Sequence, residues 1–173
     1  KMSELRAILR EEPGTVIVFS RSKKGAVEIW QSLHSAGMYE ATTLHSDRTQ
    51  EQRMQALADF KSGKFRVLIA TDVAARGIDV PNVARVVNFD VPLVPEDYVH
   101  RIGRTGRASA KGRATTLATY RDRGLVRDIE NMLKVAITVT KDTTGGAGAP
   151  EGGGRASSGR GGRAAGGRRC GGG

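Results

Sequence analysis

The sequence predicts an α/β domain built on a mostly parallel sheet, followed by a glycine- and arginine-rich tail. Three observations carry this prediction. Short runs of β-branched and aromatic residues, such as Thr15-Val-Ile-Val-Phe19 and Arg66-Val-Leu-Ile-Ala70, are apolar throughout, as strands covered on both faces must be. Between them lie segments whose apolar residues recur at helical spacing, and strand-helix alternation is the signature of a parallel sheet. Finally, several of these runs end in a cluster of polar residues, and in parallel sheets ligands gather beyond the carboxyl ends of the strands.

Taken in order, residues 2–12 place Leu5, Ile8 and Leu9 on one helical face and stop at Pro13-Gly14. The run at 15–19 is the first strand, and Ser22 is set to cap a helix that carries Ala26, Ile29, Trp30 and Leu33 toward Gly37. Trp30 lies on that apolar stripe and reads as core, not as a platform for base stacking. Glu40 to Leu44 is a second strand, and His45-Ser-Asp-Arg48 is its turn. Thr49 and Gln52 form a capping box that starts a helix running to about Lys61. The run at 66–70 is the third strand, with the polar stretch Thr71 to Asp79 behind it, and Val83 to Phe89 is the fourth. Pro95, Glu96 and Asp97 suit the first turn of a short helix, with Tyr98 packing it, and Gly103 and Gly106 should end it. Arg113 to Thr119 is the fifth strand, Tyr120 is expected to pack behind it, and Asp122 to Leu133 closes the domain with Val126, Ile129 and Leu133 inward.

The domain is assigned to residues 1–140 and the tail to 141–173. From Thr144 onward there are 14 glycines, five arginines, one acid and no aromatic residue, too little apolar surface to offset ordering entropy, so this part is expected to be disordered. Of the net charge of +10, residues 1–143 carry +6 (23 Lys and Arg against 17 Asp and Glu) and the tail +4. Both parts suit an anionic partner, and the tail's arginines among glycines have the character of segments that add affinity for nucleic acid. Cys170 is the only cysteine, which excludes a disulfide framework and a thiolate metal site. His34 and His45 read as ordinary surface and loop histidines, and no metal site is assigned. Nothing approaches the roughly 18 consecutive apolar residues of a membrane span, and the charged n-region and apolar h-region of a signal peptide are not seen. The chain opens on Lys1, so a piece of a larger protein is expected.

The most pointed stretch is Tyr98-Val-His-Arg-Ile-Gly-Arg-Thr-Gly-Arg107, three arginines at intervals of three with glycines between. Arginine stays charged and its planar fork grips two oxygens at once, which suits phosphate. The bland alternative is a basic surface turn held by ordinary ion pairs. Ser20 to Lys24, His45 to Arg48, Thr71 to Asp79 and His100 to Arg107 are all expected on the carboxyl edge of the sheet, and their convergence favours function.

Together these segments resemble the C-terminal RecA-like domain of a DEAD-box RNA helicase, over essentially all of residues 1–140. Ala70-Thr-Asp-Val-Ala-Ala-Arg-Gly-Ile-Asp79 is similar to the family's motif V, His100-Arg-Ile-Gly-Arg-Thr-Gly-Arg107 to motif VI, Val18-Phe-Ser-Arg-Ser22 to motif IV, and Gln50-Glu-Gln-Arg53 to the QxxR element. The stretch Asp90 to Tyr98 resembles bacterial RhlE-like members, and His100 disfavours the DEAH branch, which usually has glutamine there. The resemblance implies a RecA-like three-layer fold. It implies that Arg104 and Arg107 are arginine fingers for the γ-phosphate of ATP, and that His100 and Arg101 tie their loop to the catalytic acids of a partner domain. Gly77 and Asp79 match nucleotide contacts. Ser22, Thr71, Arg53 and Asp47 match the RNA side, with Asp47 capping the loop that leads to Arg53. RNA, rather than DNA, is the family's habit.

Ser46 stands where many relatives have glycine, which alters close backbone approach there. Neither a Gly-x-x-x-x-Gly-Lys-Ser/Thr phosphate loop nor an Asp-Glu-Ala-Asp sequence occurs. The chain alone is therefore expected not to hydrolyse ATP; ATP with Mg²⁺ would be held mainly by an N-terminal RecA-like domain of the same protein. The reading is the second motor domain of an ATP-dependent RNA helicase, with RNA as partner and no membrane. An ATP-independent RNA-binding or annealing module is the alternative of another class.

Overall fold

In the computed structural model, residues 1–76, 83–106 and 112–139 are described. Five strands, β1 (Val16–Ser20), β2 (Ala41–Leu44), β3 (Val67–Thr71), β4 (Arg85–Asn88) and β5 (Arg113–Thr116), form one sheet in the order β2-β3-β1-β4-β5. Every pairing is parallel, with Val16 level with Val67 on one side and Arg85 on the other. The helices are α1 (Met2–Glu11), α2 (Lys23–His34), α3 (Gln50–Lys61), α4 (Asp72–Ala75), α5 (Pro95–Ile102) and α6 (Arg123–Leu133). Residues 1–137 belong to one compact unit. The predicted tail lies outside the described residues.

Alternation along each strand divides the core into two layers. Val16, Val18, Val67, Ile69 and Val87 meet Leu5, Leu9, Ala26, Ile29 and Leu33 of α1 and α2. Their neighbours Ile17, Phe19, Leu68, Ala70 and Val86 meet Phe60 of α3 and Ala74 and Ala75 of α4 on the other face. A third cluster joins Tyr98 of α5 to Ile129 of α6, with Val126 and Leu133 half-buried around it. β1 and β3 are adjacent while α2 and α4 leave them for opposite faces, which puts a topological switch point at the Ser20 and Thr71 ends of these strands.

The caps explain where the helices begin. Ser22 Oγ accepts the Gly25 N–H at 3.0 Å to start α2. Thr49 and Gln52 exchange hydrogen bonds in the expected capping box of α3. Pro95 opens α5, and Gly103 caps its end.

Several expectations are corrected. The fifth strand stops at Thr116 and a 3₁₀ turn follows at Tyr120–Asp122, where Tyr120 is 72% exposed with Arg123 against its ring, not packed. His45 is no open loop histidine: it is buried at the end of β2. His34 stacks between Trp30 and Tyr39. Trp30 is half-buried: it packs on the core, part of it lines a cavity beside β2, and its indole N–H donates to Ala41 O at 3.0 Å.

Of the four polar segments, the last starts at the carboxyl edge, where Arg101 reaches Asn88 and Asp90, and then leaves it. Helix α5 starts beyond the end of β4 and runs back along the sheet, so that Thr105 bridges Val83 and the Val83 N–H donates to Arg104 O at 3.1 Å. Val83 precedes β4. Arg104 and Thr105 therefore lie alongside the residues that lead into β4, while Arg101 stays at its carboxyl end.

Candidate functional site

The site is organised by Arg101. Its guanidinium is 2% exposed, an arrangement that costs too much to keep unless every donor is used. Nε and Nη2 form a two-pronged pair with the Asp72 carboxylate at 2.6 and 2.7 Å, while Nη1 donates to Asn88 Oδ1 at 3.2 Å and to Asp90 O at 2.7 Å. The ring of Phe19 lies 5.1 Å from the guanidinium carbon. One side chain of α5 thus fastens the residue that opens α4, the end of β4 and the turn after it. Arg101 is committed within the domain and is not directed outward toward a second one, so its place is that of a positioning residue.

Around it, Asp97 in the first turn of α5 accepts from Arg76 Nη2 at 2.7 Å, and this partner raises the Arg76 pKa further above its ordinary value. His100 is 69% exposed, with Nδ1 3.8 Å from the Asp97 carboxylate. Arg104 is half-buried and lines a shallow depression with Asp72, Arg76, Asp97, His100 and Arg101. Arg76, His100 and Arg104 therefore present cationic or protonatable groups on one patch, braced by Asp72 and Asp97. That arrangement suits a polyphosphate better than a neutral ligand. Gly77, Asp79 and Arg107 lie outside the described residues.

On the carboxyl edge, Asp90 is the second organiser. Its carboxylate accepts the Arg21 N–H at 3.0 Å and the Ser20 hydroxyl at 3.3 Å, with Lys1 Nζ at 3.7 Å. The loop that presents Ser22 is thereby tied to the residue whose carbonyl holds Arg101. Thr71 ends β3 and stands at the N-cap of α4, with no capping bond from its side chain. Arg53 Nη2 donates to Ala74 O at 3.3 Å, which joins α3 to α4, and Nη1 is 3.5 Å from Gln50 Oε1. Asp47, expected to cap the loop leading to Arg53, accepts from Lys23 Nζ at 2.9 Å, and that bond lowers its pKa. Burial first, and the Arg48 charge second, push His45 below the ordinary histidine value, so this neighbour of Asp47 is neutral near pH 7.

Ser22, Asp47 and Thr71 therefore gather along one edge, with Arg53 behind them, whereas His100 and Arg104 sit on the adjoining face. The sequence reading missed Asp72, Asn88 and Asp90, which make the site rigid, and Arg76. A signal for them existed in Asn88 and Asp90, polar residues closing an otherwise apolar strand. Among the described residues, no group of three or more His, Cys, Asp or Glu is placed to hold a metal ion. No helix among them is long and apolar enough to cross a membrane.

An all-parallel α/β sheet with helices on both faces, a polar carboxyl edge and a braced arginine patch define a RecA-like domain. Comparison with known proteins makes this specific. Residues 1–109 match the helicase conserved C-terminal domain. The chain is 48% identical over 134 residues to the DEAD-box ATP-dependent RNA helicase CshA of Bacillus subtilis, covering 78% of this chain and 27% of that protein. Among solved structures it resembles the C-terminal domain of the DEAD-box protein Dbp5 (TM-score 0.69, 35% identity, 76% of this chain and 77% of that one). It also resembles the E. coli DEAD-box protein SrmB, solved bound to regulator of ribonuclease activity A (TM-score 0.71, 37% identity, 79% and 81%). The chain belongs to the helicase conserved C-terminal domain family, in its DEAD-box branch. It spans about a quarter of the length of the curated relatives it matches.

Proposed function

We propose that this chain is the second motor domain of an ATP-dependent RNA helicase and that it completes an ATP site shared with an N-terminal RecA-like domain. The observation that carries the reading is the Arg101 junction. Through Asp72 and Asp90 it links the arginine patch on one face to the Ser22 loop and Thr71 on the edge. Phosphates of nucleotide and of RNA would thus meet one rigid body, so that closure on either ligand presents the groups for the other.

The residues fit a nucleoside triphosphate. Arg104 lies in a cationic patch with His100 and Arg76, and Arg107, Gly77 and Asp79 follow in sequence on the same segments. ATP would be gripped by Arg104 and Arg107 as the phosphoryl group transfers, an effect worth about three to five powers of ten in other nucleotide hydrolases. Mg²⁺ would be held by the N-terminal domain, because the described acids here are spent on arginines and backbone. Ser22, Thr71, Arg53 and Asp47 serve the RNA backbone, directly or by shaping the edge, and such contacts give affinity without reading sequence. The tail adds charge-driven RNA affinity. Cytoplasmic residence and the RhlE-like placement belong to the same proposal; the relatives above support the DEAD-box branch without that refinement.

The test is RNA-stimulated ATP hydrolysis by the two-domain protein, with Arg104→Ala and Arg107→Ala beside the unaltered chain. Each change should lower turnover by about a thousandfold or more while RNA binding survives. Unchanged turnover would remove the finger assignment, and no RNA-stimulated turnover in the unaltered two-domain protein would leave an ATP-independent RNA-binding module in its place.

A further inference from the structure

A cavity of about 300 Å³ lies at the outer margin of β2, between α2 and α3, and none of the roles assigned above uses it. Its walls are of two kinds. Trp30 and His34 of α2, ring centroids 4.1 Å apart, and Phe65 before β3 supply aromatic surface. Gln55 and Asp59 of α3 and Arg48 from the turn after β2 supply polar groups. Gln55 Nε2 donates to Asp59 Oδ1 at 2.8 Å and Lys64 takes the other oxygen at 3.1 Å, which leaves Gln55 Oε1 as an acceptor in a fixed orientation. Arg48 spends Nε on Thr43 Oγ1 at 3.1 Å and keeps the terminal nitrogens of its fork for an anion.

We propose that this cavity takes a nucleobase together with its phosphate, as a base-contacting subsite beside the backbone-contacting edge. A planar heterocycle has faces for the aromatic wall and an edge with donors for Gln55, and its phosphate suits the Arg48 fork. An apolar peptide side chain would use the first and leave the other two unmet. The volume admits one base comfortably. Position favours a strand as the source, because Arg48 directly follows Asp47 and Gln52 of the same wall precedes Arg53. That delivery rests on reading the carboxyl edge as an RNA track, whereas base capture itself does not.

Trp30 is the only tryptophan of the chain, so its fluorescence reports on the cavity directly. The 173-residue chain is titrated with adenosine 5′-monophosphate, with ribose 5-phosphate, and with a short single-stranded RNA whose binding is followed in parallel by the anisotropy of a label on the strand. Saturable quenching by the mononucleotide and by RNA, but not by ribose 5-phosphate, is expected. Gln55→Leu and Arg48→Ala should each weaken the mononucleotide by about two- to tenfold, the loss of one hydrogen bond or charge contact. RNA that binds without altering Trp30, with no response to the mononucleotide, overturns the proposal and leaves the RNA track standing. A mononucleotide response without RNA binding does the reverse: it keeps the base subsite and removes the track. Quenching by ribose 5-phosphate equal to that by the mononucleotide would reduce the cavity to a phosphate site and overturn its base-reading part.

Discussion

Arg101→Ala should be the most destabilising single change at the site, and its size follows from the junction. Removing one partner of a buried, hydrogen-bonded pair costs about 3–5 kcal/mol because the other charge is left behind. Asp72 keeps 23% of its side chain in solvent, so the lower end of that range applies to the pair. Asn88 is fully buried and its Oδ1 loses a donor, as does Asp90 O, which adds about 1 kcal/mol. The total is about 4 kcal/mol, or a fall of about 10–15 °C in melting temperature for a domain of this size. Urea unfolding of the chain measures it. Arg101→Lys keeps the charge but loses the fork and should recover about half. A double-mutant cycle of Arg101→Met with Asp72→Leu should give a coupling of about 2 kcal/mol. A cost below about 1 kcal/mol for Arg101→Ala, or a coupling indistinguishable from zero, would mean that the guanidinium is not committed within the domain. It would then be available to a partner, as the family resemblance alone implied.

Gly25→Ala, a change that usually favours a helix by about 1 kcal/mol, should here destabilise, because an added Cβ would stand 2.6 Å from Ser20 Oγ and 3.2 Å from Ser22 Oγ; thermal melting and RNA affinity should fall together. Asp90→Asn withdraws the charged acceptor from the Arg21 N–H and Lys1, so RNA affinity should drop about fivefold, one charge-assisted hydrogen bond, while ATP turnover at saturating RNA changes little; the two are separated by titrating RNA in the ATPase assay. Burial opposes ionisation of Asp122, but the Thr119 N–H and hydroxyl and the Lys1 ammonium outweigh it and hold its pKa below the ordinary value. Its stabilising contribution is therefore present above about pH 4 and lost as pH falls through the lowered folded value, and Asp122→Asn should flatten the acid limb of stability against pH.

What could be seen in the chain beforehand is whatever short-range chemistry decides. The capping box at Thr49, the proline start of α5 and the buried strands at 16–20 and 67–71 all follow from neighbours within a few residues, and each lies where its pattern placed it. The junction did not show itself. Arg101 meets Asp72, Asn88 and Asp90 across 29, 13 and 11 residues, and nothing local distinguishes an arginine aimed at solvent from one enclosed by acids. The return of α5 along the sheet was hidden for the same reason, since the Val83 and Thr105 bridge is a long-range pairing. The pairing of Asp47 with Lys23, the first residue of α2, spans 24 residues and was hidden in the same way.

The contact between Trp30 and Ala41 O has a consequence for solubility. An open sheet margin is a template for a second copy of the same chain, and this sheet has two. At one, β2 is only four residues long and the indole occupies the Ala41 carbonyl, while at the other β5 begins with the exposed cation Arg113. Each margin is thus blunted by a different device, short length with a bulky lid on one side and charge on the other. The sheet formed by the described residues is in this way kept from pairing edge to edge with a second copy of itself.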